Sequence, residues 1–451
     1  MSDLARDGSE HIYRGDPSRV RLLEIAKYYL FIGIVGFGGP LVHIAMMEDD
    51  LVGEDSREWT DERTFMEGLA ICNMLPGPAS TQLGIFMGWI YAGNPGAIVA
   101  GFFFMLPTFV IVVFFSWLYF AYQELPSVEA LFYGINPVVI GLIVGASWSM
   151  AGSAFAEGRK RTHLDVAGKS WSIDPLLVAV LATAIVVTAI LGTNPVVQFV
   201  VAGVMAVAIY RSTWVRANLR RVSLWAIVGA VAGILFTFRD RALDLLGPAA
   251  RQALEASPIW GLLLALWANP WVQLFAFMVY TGTFIYGGGL VLIPFIELYV
   301  VREFGWMTGR EFVDGIAIGQ LSPGPVVMTT AFVGYKLILD TYGLVTIAVI
   351  GALVATIGAF GPSFAFIMGF FPYFAKVREN DLVQTALVGV NAAVVGAILG
   401  ATVTLAVESF VDGFTVLLAV VTFFLFVRGI HAAYLIVGGG LVGMGWFFLV
   451  L

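Results

Sequence analysis

The stretch LSPGPVVMTT at residues 321–330 sets proline, glycine and proline inside a run that otherwise reads as buried helix. LPGPAST at 75–81 repeats the phrase in the first half of the chain. Proline removes a backbone donor and blocks the preceding turn, so each Pro-Gly-Pro ends one helix and starts another. Such a break is costly in lipid, where each orphaned N–H or C=O costs several kcal/mol unless protein or a watery cavity shields it.

Composition places the chain in lipid. Hydrophobic residues make up 59% and charged residues 12%, with a mean hydropathy of +0.89; soluble domains carry about 25% charged residues. Runs such as 97–120 and 431–451 reach the roughly 20 apolar residues a spanning helix needs. The fold class expected is an all-α polytopic membrane protein with about 13 transmembrane segments. The polar N-terminus lacks the layout of a signal peptide and reads as a retained cytoplasmic arm. Cys72 is the only cysteine, which rules out an intramolecular disulfide and a Cys-rich metal site. No metal, cofactor or nucleic-acid partner is expected. No HExxH, GxSxG, DDxxD or P-loop pattern appears in the sequence, so an intramembrane enzyme is not expected either.

Three blocks recur in the same order. FGGPLVHIAMME (37–48) matches YGGGLVLIPFIE (286–297), and WTDERTFMEGLAICNMLPGP (59–78) matches WMTGREFVDGIAIGQLSPGP (306–325). NPVVIGLIVGAS (136–147) matches NAAVVGAILGAT (391–402). This divides the chain into a polar arm (1–24), a first repeat (25–210), a linker with a central span near 223–238 (211–261) and a second repeat (262–451). An odd span between the copies turns the second upside down, an architecture of secondary transporters; a parallel repeat, with 223–238 lying on the surface, is the competing reading. Basic loops place the N-terminus in the cytoplasm and the C-terminus in the periplasm, across the inner membrane of the cell. A re-entrant hairpin at either Pro-Gly-Pro would change the span count. Small-residue patterns leave a homodimer open.

Each half-helix after a break presents free N–H groups and the positive end of its dipole, a ready site for an anion. Pro78 and Pro325 suit the first helical position. Thr308 and Glu311 read as a capping box opening the approach helix. The candidate anion-binding residues are Pro76, Gly77, Pro78, Ser80 and Thr81, with Pro323, Gly324, Pro325, Thr329 and Thr330. The glycine breaks Gly38-Gly39-Pro40 and Gly287-Gly288-Gly289 join them, as do the amides Asn73 and Gln320.

Together the paired FGGP-like and Pro-Gly-Pro blocks resemble the chromate ion transporter family in its two-domain form. The resemblance covers nearly the whole chain beyond the arm and departs at YGGG, which lacks the proline. It implies export of chromate from the bacterial cytoplasm, chromate resistance, and drive from the proton-motive force, with sulfate as the competing oxyanion. A sulfate or other oxyanion permease and a passive anion channel are the alternatives.

Charged and titratable candidates complete the set. Lys336 reads first as a snorkelling lysine and second as a cation near the anion. His43 has Leu292 at the matching place, and a lone helical His is more often packed than functional. Glu48 pairs with Glu297 in the alignment, and Glu67 with Asp314. The last two are candidates for carrying a coupling proton, although pairing with Arg63 or Arg310 at i−4 is the narrowly preferred reading.

Overall fold

The computed structural model describes residues 17–37, 39–52, 56–156, 158, 162–166, 169–218, 265–286, 288–378 and 380–450. The expected central span at 223–238 and most of the polar arm lie outside the described residues, as do Gly38 and Gly287.

The first copy runs α1 (Arg19–Val35), α2 (Pro40–Leu51), α3 (Glu62–Cys72), α4 (Ala79–Tyr122), α5 (Pro126–Ala156), a β-hairpin (Thr162–Val166 paired antiparallel with Lys169–Ile173), α6 (Pro175–Val186) and α7 (Pro195–Tyr210). The short α8 (Ser212–Ala217) follows. The second copy repeats the order with α9 (Pro270–Phe284), α10 (Leu292–Ile296, flanked by a 3₁₀ turn and a π turn), α11 (Gly309–Leu321), α12 (Thr329–Tyr342), α13 (Val345–Ala365) leading into α14 (Phe371–Arg378), α15 (Asp381–Ser409), α16 (Gly413–Val427) and α17 (Ala432–Val450). Five described stretches are long and apolar enough to cross a membrane: Ala79–Tyr122, Pro126–Ala156, Val345–Phe370, Asp381–Ser409 and Ala432–Val450. The helix starts are chemically marked. Asp61 caps α3, Asn194 caps α7, and Thr308 with Glu311 forms the expected capping box on α11.

The four broken segments fold as helical hairpins, the re-entrant alternative left open for the Pro-Gly-Pro sites. Tyr28 Oη donates to the Met46 carbonyl at 3.3 Å, although an unbroken helix would hold residues 18 apart about 27 Å away from each other. The chain therefore turns back between Val35 and Pro40, so α2 returns along α1. In the second copy Phe277 and Tyr280 of α9 meet Tyr299 in the same way. At the Pro-Gly-Pro breaks, Gly68 of α3 faces the Phe86 ring and Gly315 of α11 faces the Phe332 ring. Both breaks are the tips of hairpins. α4 turns once more at Ala92–Gly93, where Gly93 adopts φ 62°, matching Gly343 at φ 68° after α12.

The contacts establish the inversion. Glu24 accepts from Trp59 Nε1 (3.2 Å) and Tyr91 Oη (2.9 Å), so the starts of the first-copy hairpins share one face of the molecule, here the near face. Beyond the turn at Gly93, α4 is long enough to reach the far face. There Tyr119 meets Asp314 (2.5 Å), Glu129 meets Arg310 (3.8 Å) and Tyr133 meets Asp412 (2.5 Å). The opening of α11 thus lies at the far face, while its counterpart α3 opens at the near face. On the near face Arg211 pairs with Asp381 and Phe86 stacks on Phe371.

The copies also exchange packing partners. α5 lies against α16 and α17 of the other copy, and its counterpart α15 lies against α6 and α7. Glycines permit this approach: a Cβ on Gly134 would strike the Gly439 carbonyl, and one on Gly396 the Leu181 carbonyl. Without a hydrophobic drive between helices in lipid, such close backbone packing is a principal source of association.

Two outcomes are expected. Gly134→Leu should destabilise the detergent-solubilised protein by about 1–3 kcal/mol in a thermal denaturation assay, whereas Gly445→Leu, where a Cβ meets nothing within 4 Å, should be neutral. In a Cys72→Ser background, Arg216→Cys and Val411→Cys should react with an impermeant maleimide from opposite sides of the membrane; labelling from one side would contradict the inverted arrangement.

Candidate functional site

The hairpin tips of the two copies meet at the centre and cross. His43, on the first turn of α2, sets Nε2 2.6 Å from the Gly36 carbonyl and 3.0 Å from the Pro323 carbonyl. Both partners are acceptors, so Nε2 carries the hydrogen and Nδ1 is left as an acceptor. The first-copy tip is thereby bonded to the second-copy break. The reciprocal contact is made by backbone: Gly77 N–H donates to the Ile285 carbonyl at 2.5 Å. Gly36 and Ile285 are matching positions in the repeat alignment, as are Gly77 and Gly324.

A second pair of contacts follows the same symmetry. A Cβ on Gly324 would run into the Thr108 hydroxyl, and one on Gly77 would meet Ser363 Oγ at 2.6 Å. Thr108 follows Pro107 as Ser363 follows Pro362, each on the long helix of the opposite copy. Gln82 Nε2 closes the first break by donating to the Pro76 carbonyl at 2.5 Å. The glycine between the prolines is therefore required by space at both sites, and at Gly77 also by φ 130°.

The half-helix starts differ in detail from expectation. Pro78 and Pro325 occupy the cap position, one residue ahead of the helical position expected for them. In the first copy the amides of residues 79–81 precede the first intrahelical bond, Gln82 N–H to the Pro78 carbonyl at 2.9 Å. The second copy starts with a tight 3₁₀ turn, Val326–Met328. Thr329 and Thr330 donate to the Val326 and Val327 carbonyls, each at 2.9 Å, so their hydroxyl hydrogens are committed to their own helix. Ser80 Oγ, Thr81 Oγ1, Gln82 Oε1, Thr108 Oγ1 and His43 Nδ1 are all buried without a hydrogen-bond partner. Buried polar atoms are normally satisfied, and each exception demands an account. All five come from the first copy, whose residues 80 and 81 match the apolar Val327 and Met328. Gly39 (φ 77°) caps α2 with Pro40 in its first turn, and Gly288 (φ 137°) and Gly289 open the matching turn against Val326 and Val327. Asn73 is exposed and Gln320 half-buried.

The charged candidates separate. Lys336 is bound to Glu311 (3.1 Å) and Asp340 (2.7 Å) at the far face, which removes it from the anion site. Glu67 pairs with Arg63 at 3.1 Å as the i−4 reading had it. Asp314 does not follow: it is buried and accepts from Tyr119 Oη, while Arg310 turns to Glu129. Glu297 is buried against Arg302 (2.5 Å) and Thr404 (2.9 Å), whereas Glu48 is half-exposed. Sequence reasoning missed Gln82, Thr108 and Tyr119. The matched Pro-Thr and Pro-Ser pairs were a legible signal for Thr108.

A groove of about 280 Å³ lies beside Pro76, lined by Val196, Phe199, Val200 and Phe284. Its walls are apolar, so it suits hydrocarbon rather than an oxyanion.

A family model described as chromate transporter matches residues 23–207 and 272–444. The protein named "Probable chromate transport protein" in Synechococcus elongatus is 32% identical over 397 residues, covering 87% of this chain and 86% of that one. A chromate transport protein of Cupriavidus metallidurans is 30% identical over 427 residues, covering 94% and 92%. One from Pseudomonas aeruginosa is 30% identical over 400 residues, covering 85% and 80%. No solved structure matches. With two matched stretches that each contain one pair of crossed hairpins, the chain belongs to the chromate transporter family.

Proposed function

We propose that this chain is a secondary active transporter that exports chromate across the inner membrane, binding the anion at the first-copy half-helix start. The observation that carries the reading is the group of buried, unpartnered polar atoms at and around that start. A tetrahedral dianion offers only acceptors and needs N–H and O–H donors with positive potential. The Ser80, Thr81 and Thr108 hydroxyls are free to donate, and the leading amides of α4 add the dipole. Polar groups held ready in a crossed, protein-shielded centre suit an ion that must shed its water at mid-membrane.

Direction follows from charge. A membrane potential negative inside drives a dianion outward by about 4.6 kcal/mol per 100 mV, two charges at about 2.3 each. The electrical part of the proton-motive force therefore favours export, and coupling to protons adds to it. The domain division at 25–210 and 262–451 and the cytoplasmic N-terminus belong to this reading. Sulfate has the same shape and acceptor set, so competition is expected, and a sulfate permease is the second reading for that reason.

Inside-out vesicles containing the protein should take up chromate when energised, and an unenergised control should not accumulate it. Failure of the unmutated protein to do so would remove the reading; uptake that excess sulfate abolishes while chromate leaves sulfate flux untouched would favour the permease. Replacing Ser80 with Ala should weaken apparent chromate affinity about 10- to 100-fold, since a hydrogen bond to a charged group contributes about 1.5–3 kcal/mol, and adding Thr81→Val should weaken it further. Gly324→Val, which drives a side chain into Thr108, should abolish uptake while the protein still reaches the membrane; undiminished uptake would mean the break is only a kink.

A further inference from the structure

We propose that Asp314 is the proton-binding site of the transport cycle, so that the first copy supplies the donors for the anion and the second copy the exchangeable proton. The inference rests on the transport reading above and adds a residue and a division of labour to it.

Asp314 lies in the second turn of α11, 1% exposed. Its Oδ2 accepts the Tyr119 hydroxyl at 2.5 Å, and the Asn136 amide stands beside the carboxyl group. The nearby charges Arg310 and Glu311 are each paired elsewhere. On α11 itself Arg310 pairs with Glu129 of α5 at 3.8 Å, and Glu311 pairs with Lys336 of α12 at 3.1 Å. Lys336 is held a second time by Asp340 at 2.7 Å. From α15, Glu408 stands beside Gly309. α5 adds only the uncharged Asn136 next to the carboxyl group. The Asp314 carboxyl thus has no cation of its own among the described residues, and an intramembrane acid in that condition is by default a functional group.

Its place in the fold gives a proton something to act on. Asp314 stands on the approach helix, which ends at Leu321, two residues before Pro323, and the Pro323 carbonyl is held by His43 at the crossing. The Tyr119 bond ties α11 to the far end of α4, whose first residue, Ala79, follows the first break. An ionised carboxylate takes a charge-assisted bond that a neutral acid does not. Proton occupancy therefore tunes the grip between the helix that carries one break and the helix that follows the other. The far face is the periplasmic one on the proposed orientation, the side from which protons run inward. The first-copy counterpart cannot serve, because Glu67 is paired with Arg63.

The test uses the full-length protein in liposomes, with membrane potential clamped by potassium and valinomycin. Chromate flux is followed under an imposed pH gradient, and internal pH is followed with a trapped dye. The unmutated protein should show chromate flux that the pH gradient accelerates and a proton movement that a chromate gradient drives. Asp314→Asn should still bind chromate but lose the chromate-driven proton movement at least tenfold. Glu67→Gln should keep it, and Tyr119→Phe should keep it with a shifted pH profile. No chromate flux from the unmutated protein would overturn the transport reading itself. Chromate flux indifferent to pH, or a proton movement that survives Asp314→Asn, would overturn the assignment of Asp314 alone. Should Asp314→Asn fail to elute as a folded species, Asp314→Glu, which keeps an exchangeable proton, must retain the movement, and Tyr119→Phe must shift the pH profile; an unshifted profile overturns the proposal.

Discussion

A carbonyl freed at a helix break inside a membrane must find a donor, and here the donor comes from the other half of the molecule. Pro323 ends α11 and leaves its carbonyl without an amide, and His43 of the first copy reaches across to it at 3.0 Å. Gly77 N–H of the first-copy break likewise donates to the Ile285 carbonyl at the tip of the second-copy hairpin. Each copy thus completes the backbone bonding of the other's tip, and the cost of two broken segments in lipid becomes the reason the halves are joined. The remainder of the fold follows from bringing four tips to one place. The long helices must pass close by, so Gly324 and Gly77 face Thr108 and Ser363 with no room for a Cβ. The outer helices must then pack across the pseudo-symmetry axis, which glycines on α5 and α15 allow.

The crossing also explains why irregular backbone is tolerated at membrane depth. The Pro-Gly-Pro tips are buried or half-buried, and His43 is fully buried, edge-on to the Phe104 ring at 5.0 Å, while Phe37, Pro40, Leu41 and Val42 of its own tip are exposed. Around the crossing, the side-chain atoms left without a partner among the described residues belong to the first copy. A break that existed only as a hinge would have no need to hold buried hydroxyls unpaired, since apolar residues would cost less there. The second copy shows that cheaper solution, with Val327 and Met328 at the same positions and its threonines bonded to their own backbone.

Much of the architecture was legible because it rests on local chemistry. Pro-Gly-Pro marks a break wherever it falls, Thr308 with Glu311 marks a helix start, and the two alignments 59–78 and 306–325 differ by no gap, so matched roles could be assigned residue by residue. What was not legible is the direction of the chain after each break. An apolar run reads the same whether it continues through the membrane or doubles back, since every position is buried either way. Only contacts such as Tyr28 with Met46 tell the two apart. Tyr119 was out of reach for a related reason: its partner is 195 residues away, and an apolar helix end rich in aromatics gives no sign of which one meets an acid.

Duplication with inversion begins with two equal sites, and this chain has spent that equality. Glu67 and Asp314 occupy matching positions, yet one carries an arginine beside it and the other a tyrosine from the opposite copy. His43 bonds the crossing where Leu292 cannot, so the reciprocal contact had to fall to a backbone amide. The unpaired polar atoms at the crossing come from the first copy, Ser80 and Thr81 at its own break and Thr108 beside Gly324, while the buried acid without a cation stands on the helix leading to the second break. Symmetry of fold sets where groups can meet, and the departures from symmetry decide what each meeting place can bind.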